Sequence, residues 1–106
     1  MAVRAMVKAV LTEFQVPKDR VAAFEAFMKQ GMKRSRRAKG QLGAILLRTT
    51  DSNNYVMLAF WQTKRDREHF LHSVQARAKV RRLVGGEPKV RWLQTVARVQ
   101  ESRFLA

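Results

Sequence analysis

Polar and apolar residues alternate through Thr12-Glu13-Phe14-Gln15-Val16, at the end of a mostly apolar stretch that begins near Ala5. A period of two predicts a half-buried strand over 5–16, with Val10, Thr12 and the other even positions on one face. Pro17 stops that strand, and Asp19 stands where a helix cap is expected. From Val21 the period lengthens. Val21, Phe24, Phe27, Met28 and Met32 recur at helical spacing and predict an amphipathic helix to about Arg37, with Gly31 a weak point inside it. Gly40 ends this segment, and a strand is expected over Leu42–Arg48. Thr50-Asp51-Ser52-Asn53-Asn54 has turn composition, because Asn and Asp tolerate left-handed backbone and bond their own main chain. The apolar run Tyr55–Trp61 then completes a hairpin.

Thr63, with Asp66 three residues on, has the form of a capped helix start. Phe70, Val74 and Ala78 share one helical face with Leu71 beside it. A break is expected near Ser73, with helix resuming to about Val84. Gly85-Gly86-Glu87-Pro88 terminates it. Val90, Trp92, Gln94 and Val96 alternate with Arg91, Leu93 and Thr95 as a long last strand, and 101–106 has the character of a tail. The order strand, helix, strand, strand, helix, strand predicts one α+β domain over 1–106, with its core over about 5–100. The expected architecture is ferredoxin-like: a four-stranded antiparallel sheet with two helices on one face. The other sheet face is then either wet or covered by a second copy of the chain.

Composition narrows the chemistry. The 106 residues include no cysteine, which removes disulfides, thiolate metal sites and cysteine nucleophiles together. His69 and His72 are the only histidines. No apolar run approaches the roughly 20 residues of a membrane span, and Met1-Ala-Val-Arg-Ala-Met lacks the apolar stretch of a secretory signal. The expectation is a soluble, cytoplasmic protein without membrane insertion. Its net charge of +14 is unusual. Residues 29–48 carry seven basic and no acidic groups, and 62–82 carry seven basic and two acidic. Such a field attracts anionic small molecules or polyanions.

Several local features resemble the antibiotic-biosynthesis-monooxygenase-like domains, a family of small dimeric α/β-barrel proteins. Lys39-Gly40-Gln41-Leu42-Gly43 sits where the family has a Pro-Gly-x-x-Gly-like turn into the second strand, although the turn proline is missing. Leu46-Leu47-Arg48 followed by Asp51-Ser-Asn-Asn-Tyr55 looks like the family's hairpin. Phe60-Trp61-Gln62-Thr63 looks like its Trp-x-Ser/Thr junction, and Phe70-Leu71-His72-Ser73 resembles the helix that follows. The resemblance spans roughly residues 5–100. It implies a homodimer whose two sheets face one another, with each subunit's pocket between its own sheet and helices. Members of that family include oxygenases of polycyclic phenols and quinols that use no metal or flavin, haem-degrading enzymes, and others with no known activity.

The haem-degrading branch relies on an Asn in the first strand, a Trp nine residues after the junction Trp and a His ten residues beyond. Phe70 and Val80 occupy those last two positions here, and Val7–Phe14 contains no Asn, so the pattern argues against haem. Cofactor-free oxygenation needs a base, a cation or polar donors, and an apolar slot for the rings. The candidates are His72 or His69 as base, Tyr55 and Trp61 as hydrogen-bond donors, and Arg48 as anion stabiliser. Phe24, Phe27, Met28, Phe60 and Phe70 are candidates for the slot that holds a small aromatic substrate. Some quinone-forming relatives carry an Asn four residues before the junction Trp; Met57 stands there.

Simpler roles stand beside these. Trp61 fills a strand–helix junction, Phe24, Phe27 and Met28 are core at helical spacing, Tyr55 is a cross-strand partner, and the histidines lie on a wet helix face. A second functional reading is non-catalytic contact with nucleic acid or another polyanion. It would use Lys33, Arg34, Arg36, Arg37 and Lys39 at one helix end and Arg81 and Arg82 at the other. That reading requires the two cationic runs to form one patch.

Overall fold

The computed structural model describes residues 7–97. Strand β1 spans Lys8–Gln15, α1 Val21–Ser35, β2 Gln41–Arg48, β3 Asn54–Trp61, α2 Lys64–Ser73, α3 Ala76–Leu83 and β4 Lys89–Leu93. The strands form one antiparallel sheet in the order β2-β3-β1-β4. This is the ferredoxin-like arrangement that the element order predicts.

Register decides which residues meet the helices. Val10, Thr12 and Phe14 of β1 stand opposite Ala59, Met57 and Tyr55 of β3. Those in turn stand opposite Ala44, Leu46 and Arg48 of β2, while Trp92 and Val90 of β4 flank Val10 and Thr12. Side chains directly across an antiparallel ladder share a face, so all of these belong to the helix side. Ala9, Leu11, Ile45, Leu47, Val56, Leu58, Phe60 and Leu93 belong to the other. That second face is largely apolar, with Glu13, Lys89 and Arg91 at one corner, and no helix among the described residues covers it; Leu47 and Leu93 are 51% and 41% exposed.

The helix side packs in two groups. Phe14, Phe24, Met28, Tyr55, Val80 and Val84 form one, in which the fully buried Phe24 ring lies 5.2 Å from Phe14 and 4.8 Å from Tyr55. Burial of that one side chain contributes about 1.5–3 kcal/mol. Val10, Ala59 and Trp61 form the other, with Phe70 and Trp92 packed against them.

Three local expectations require correction. Asp19 caps nothing: the chain makes a 3-10 turn over Lys18–Arg20, Arg20 donates its N–H to the Pro17 carbonyl at 2.9 Å, and α1 starts without a side-chain cap. The first helix stops at Ser35 rather than Arg37, because Arg37 and Ala38 bond back only three residues, to Arg34 and Ser35. The break expected near Ser73 is present, with α2 ending there and α3 running Ala76–Leu83. Gln75 between them is left-handed, with φ 51° and ψ 39°. The last strand ends at Leu93, whose partner Ala9 lies near the start of β1, and Val96 is 96% exposed. The predicted tail, 101–106, lies outside the described residues.

The Thr63 cap is present, its hydroxyl accepting from the Asp66 N–H at 3.0 Å. Asp66 also governs the turn before β2. Gly40 has φ +81°, and a Cβ there would collide with the Asp66 side chain. Gly40→Ala should therefore lower stability by about 1–2 kcal/mol. Gly31, mid-helix with open space around its Cα, behaves oppositely: Gly31→Ala should raise stability by about 0.5–1 kcal/mol. Urea midpoints at constant slope measure both, and equal signs would refute this account of the two glycines.

Candidate active site

The two apolar groups do not meet across the whole sheet. Between them, under α1, α2 and α3, lies a cavity of about 350 Å³, within the range of small-molecule sites. Its floor is made by the small residues Ala44 and Ala59 with Val10 and Thr12 beside them, where larger side chains would reach the helices. Phe27, Met28, Trp61 and Phe70 form apolar walls, and the Trp61 and Phe70 rings lie 5.9 Å apart. Polar groups are few. Thr12 is buried on the floor, and Gln41 donates through Nε2 to Ser35 Oγ at 3.3 Å. Ser35 Oγ itself donates to the Met32 carbonyl at 2.8 Å within α1, so the Gln41 bond ties the end of α1 to the start of β2.

Arg67 is the charged group on this wall that lies inside the fold. Its side chain is 11% exposed, on the same face of α2 as Phe70 and Val74. The guanidinium lies 5.6 Å from the centre of the Trp92 ring, and Lys64 Nζ sits 5.0 Å from the same ring. Burial pushes the Arg67 pKa down from its usual range; Glu68 pulls it back and Arg77 adds to the fall. It nevertheless stays charged, as arginine does throughout proteins. Arg34, Arg77, Lys79 and Arg81 also border the cavity, and Glu87, the one acidic lining residue among the described residues, pairs with Arg81 at 3.0 Å.

The sequence candidates divide by position. Phe27, Met28, Trp61 and Phe70 line the cavity. Phe24 does not; it is sealed between Phe14 and Tyr55. Phe60 lies on the opposite face of the sheet, because it pairs with Ala9 rather than Val10. His69 and His72 are exposed on α2 and are not among the lining residues. Tyr55 and Arg48 converge elsewhere, on Glu25 of α1: the Tyr55 hydroxyl donates to Glu25 Oε2, and Arg48 Nη1 lies 3.5 Å from the same oxygen. No three His, Asp or Glu side chains among the described residues are grouped to hold a metal ion.

The cationic helix ends also separate. The end of α1 leads into β2 beside Trp61, whereas the end of α3 is held near the other end of β1. There Gly85 donates its N–H to the Gln15 carbonyl at 2.7 Å, and Arg20 donates to the Arg82 carbonyl at 2.7 Å. Lys33, Arg36, Arg37, Lys39 and Arg82 are exposed and outside the cavity lining, which only Arg34 and Arg81 of the two runs join. The sequence reading missed Arg67, Thr12 and Gln41 as wall residues. Arg67 was concealed in the run Lys64-Arg65-Asp66-Arg67-Glu68, yet it precedes Phe70 by three residues and Val74 by seven, the spacing of one helical face.

Comparison with known proteins agrees with this architecture. The sequence pattern of the antibiotic biosynthesis monooxygenase family matches residues 8–82, and the chain belongs to that family. An antibiotic-biosynthesis-monooxygenase-like protein from Bordetella bronchiseptica superposes with a TM-score of 0.75 at 25% identity, over 87% of this chain and 99% of that one. Rv0793 from Mycobacterium tuberculosis gives 0.73 at 20% identity, over 91% and 98%. SnoaB, a cofactor-independent oxygenase from Streptomyces nogalater, gives 0.77 at 21% identity, over 92% and 100%. No curated protein matches the sequence. The family includes cofactor-independent monooxygenases. Among the described residues no helix is long and apolar enough to cross a membrane.

The Tyr55–Glu25–Arg48 cluster has a testable pH signature. Burial raises the Tyr55 pKa above its ordinary 10.0; the hydrogen bond to Glu25 raises it further, and Arg48 lowers it. The folded chain thus holds the phenol proton more tightly than the unfolded chain. The stability this contributes is complete below pH 10 and is lost as pH rises through the higher folded value. Tyr55→Phe should cost about 1 kcal/mol at neutral pH and flatten the loss of stability above pH 10, read as urea midpoints across pH. An unchanged alkaline slope would show that Tyr55 does not carry it.

Proposed function

We propose that the chain is a monooxygenase that oxidises a flat phenol- or quinol-type substrate in this cavity without a bound metal or flavin. The observation that carries the reading is the cavity itself: set between sheet and helices, apolar and aromatic over most of its walls, and bordered by cations. Family membership and the fold shared with SnoaB support the same chemistry.

The reaction needs an electron-rich substrate anion. A bound anthrone or quinol gives up a proton, and its anion passes one electron to dioxygen. The resulting radical pair joins carbon to oxygen as a peroxide. Protonation and loss of water then leave a carbonyl, so that one oxygen atom enters the product and the other leaves in water. The substrate supplies both reducing equivalents. The cavity's contribution is to hold the ring system between Trp61, Phe70, Phe27 and Met28 and to favour the anion electrostatically. His69 and His72 lie outside the lining, so in this reading the proton leaves to water rather than to a histidine.

The uncovered apolar face supports a homodimer. Exposed Leu47 and Leu93, with Ile45, Leu58 and Phe60 between them, make a patch of the sort that interfaces cover. Sedimentation equilibrium should give twice the chain mass, and Leu47→Lys should shift the protein towards monomer; a native monomer would overturn this assignment. The polyanion reading keeps part of the patch it requires, because Arg34 of one cationic run and Arg81 of the other border the same cavity, while Lys33, Arg36, Arg37, Lys39 and Arg82 lie outside its lining.

Oxygen uptake against anthrones and naphthohydroquinones, with chelator present and with protein-free controls, tests the activity. Ala59→Leu should reduce uptake about tenfold or more by filling the floor, while leaving the thermal midpoint within a few degrees. His72→Ala and His69→Ala should change uptake less than about twofold, since neither group reaches the cavity. No uptake above the protein-free rate from folded native protein would refute the monooxygenase reading.

A further inference from the structure

We infer that Arg67 makes the cavity a receptor for an aromatic oxyanion, so that the ligand of this site is a fused-ring compound bearing a carboxylate or an ionised hydroxyl. The inference rests on the cavity being the ligand site, but not on oxidation occurring there.

Three observations converge on Arg67. First, the residue is 9% exposed, which is rare for arginine without a close partner. Second, its partner is poor. The nearest carboxylate oxygen, Glu68 Oε1, lies 3.5 Å away, and both Glu68 oxygens already accept from Arg77 Nη2 at 2.8 Å. Glu68 is half exposed and directed to that surface pair. A guanidinium offers five N–H donors in a planar fork, and among the described residues this one's bonds use few of them. Third, Arg67 lies on the wall of an apolar cavity whose acidic lining residue, Glu87, is committed to Arg81. Among the described residues no sealed side-chain nitrogen lacks a hydrogen bond, so the unbonded guanidinium nitrogens of Arg67 reach solvent, and an oxyanion entering the cavity would replace that water with charge-assisted bonds.

The surroundings suit an aryl group on such an anion. Trp92 backs the guanidinium from β4, and Phe70 follows it by one turn on α2, so an aromatic body beside the fork meets Trp61 and Phe70. The other cations at the rim raise the local concentration of anions without fixing their orientation. A carboxylate and an aryloxide offer the same feature to the fork, a resonance-delocalised oxygen anion on a flat ring. For a phenolic substrate, the same contact would lower the substrate's own pKa and supply the ionised form without a protein base.

Binding of three naphthalene probes to the full-length protein at pH 7, followed by calorimetry in the absence of turnover, tests this. The probes are 2-naphthoate for the carboxylate, 2,4-dinitro-1-naphtholate for the aryloxide, and neutral 2-methylnaphthalene. At least one anion should bind about tenfold or more tightly than the neutral compound. Which anion is preferred assigns the ligand as carboxylate or aryloxide. Arg67→Met should abolish the preference while leaving the neutral probe within about threefold. Arg36→Ala, a surface change outside the cavity, should leave the preference intact. Arg67→Lys keeps the charge but not the fork and should retain only part of it, which provides a readout if Arg67→Met does not fold. Neutral binding as tight as both anions, or a preference undiminished in Arg67→Lys or Arg67→Met, would overturn the inference. The two readings fail separately: an Arg67-dependent anion preference without oxygen uptake leaves a binding protein, and uptake of neutral quinols without any anion preference leaves an oxygenase whose Arg67 is structural.

Discussion

The spacing between helices and sheet is set by side-chain size along two adjacent cross-strand rows. One row runs Ala44, Ala59, Val10, Trp92; the next runs Leu46, Met57, Thr12, Val90. At the Tyr55 end, Phe14, Phe24 and Tyr55 close the gap, and at the other end Trp61 with Phe70 does so. Helices resting on large residues at both ends cannot descend onto small ones between them. The cavity follows from this geometry without any special loop or lid. It also explains why core and site share residues: Met28, Trp61 and Phe70 support the helices and at the same time form the walls.

Charge is distributed so that most of it costs little. Many of the cations stand exposed on helices, strands and turns, where Arg77, Arg81 and Arg91 find carboxylates within about 3 Å at exposed positions. Pairs of that kind contribute about 0–1 kcal/mol each. Arg67 differs because it belongs to the apolar stripe of its helix, and the same turn that brings Phe70 inward brings it inward too. A strongly basic surface and one inward cation are separate features of the chain, although both appear in the sequence as one run of charged residues.

Much of the fold was legible because its signals are local. Period-two alternation placed β1 and the hairpin, Thr63 and Asp66 placed the start of α2, and the element order placed the sheet. The errors came where backbone geometry outranks residue type. Asp19 has good cap chemistry, but Pro17 directs the chain into a 3-10 turn before the helix begins. Gln94 and Val96 alternate well beyond Leu93, but a strand requires a neighbour as well as a pattern, and pairing with β1 stops at Ala9. The site was harder to read. Phe60 and Trp61 are adjacent in sequence and fall on opposite faces of the sheet, a distinction that only register makes. Tyr55 and Arg48 were grouped with the cavity when they in fact belong to Glu25, a residue no motif singled out.

The left-handed residue between α2 and α3 bears on the shape of the whole layer. A single straight helix from Lys64 to Leu83 would be a rod about 30 Å long, laid across a sheet whose strands rotate by roughly 20–25° from one to the next. A rod touches a twisted surface along only part of its length. By turning the chain at Gln75, at a conformational cost of roughly 1–2 kcal/mol, the protein replaces the rod with two short segments, each free to follow its own stretch of the twist. The covering layer is therefore jointed, and one residue in the chain sets the angle between its two halves.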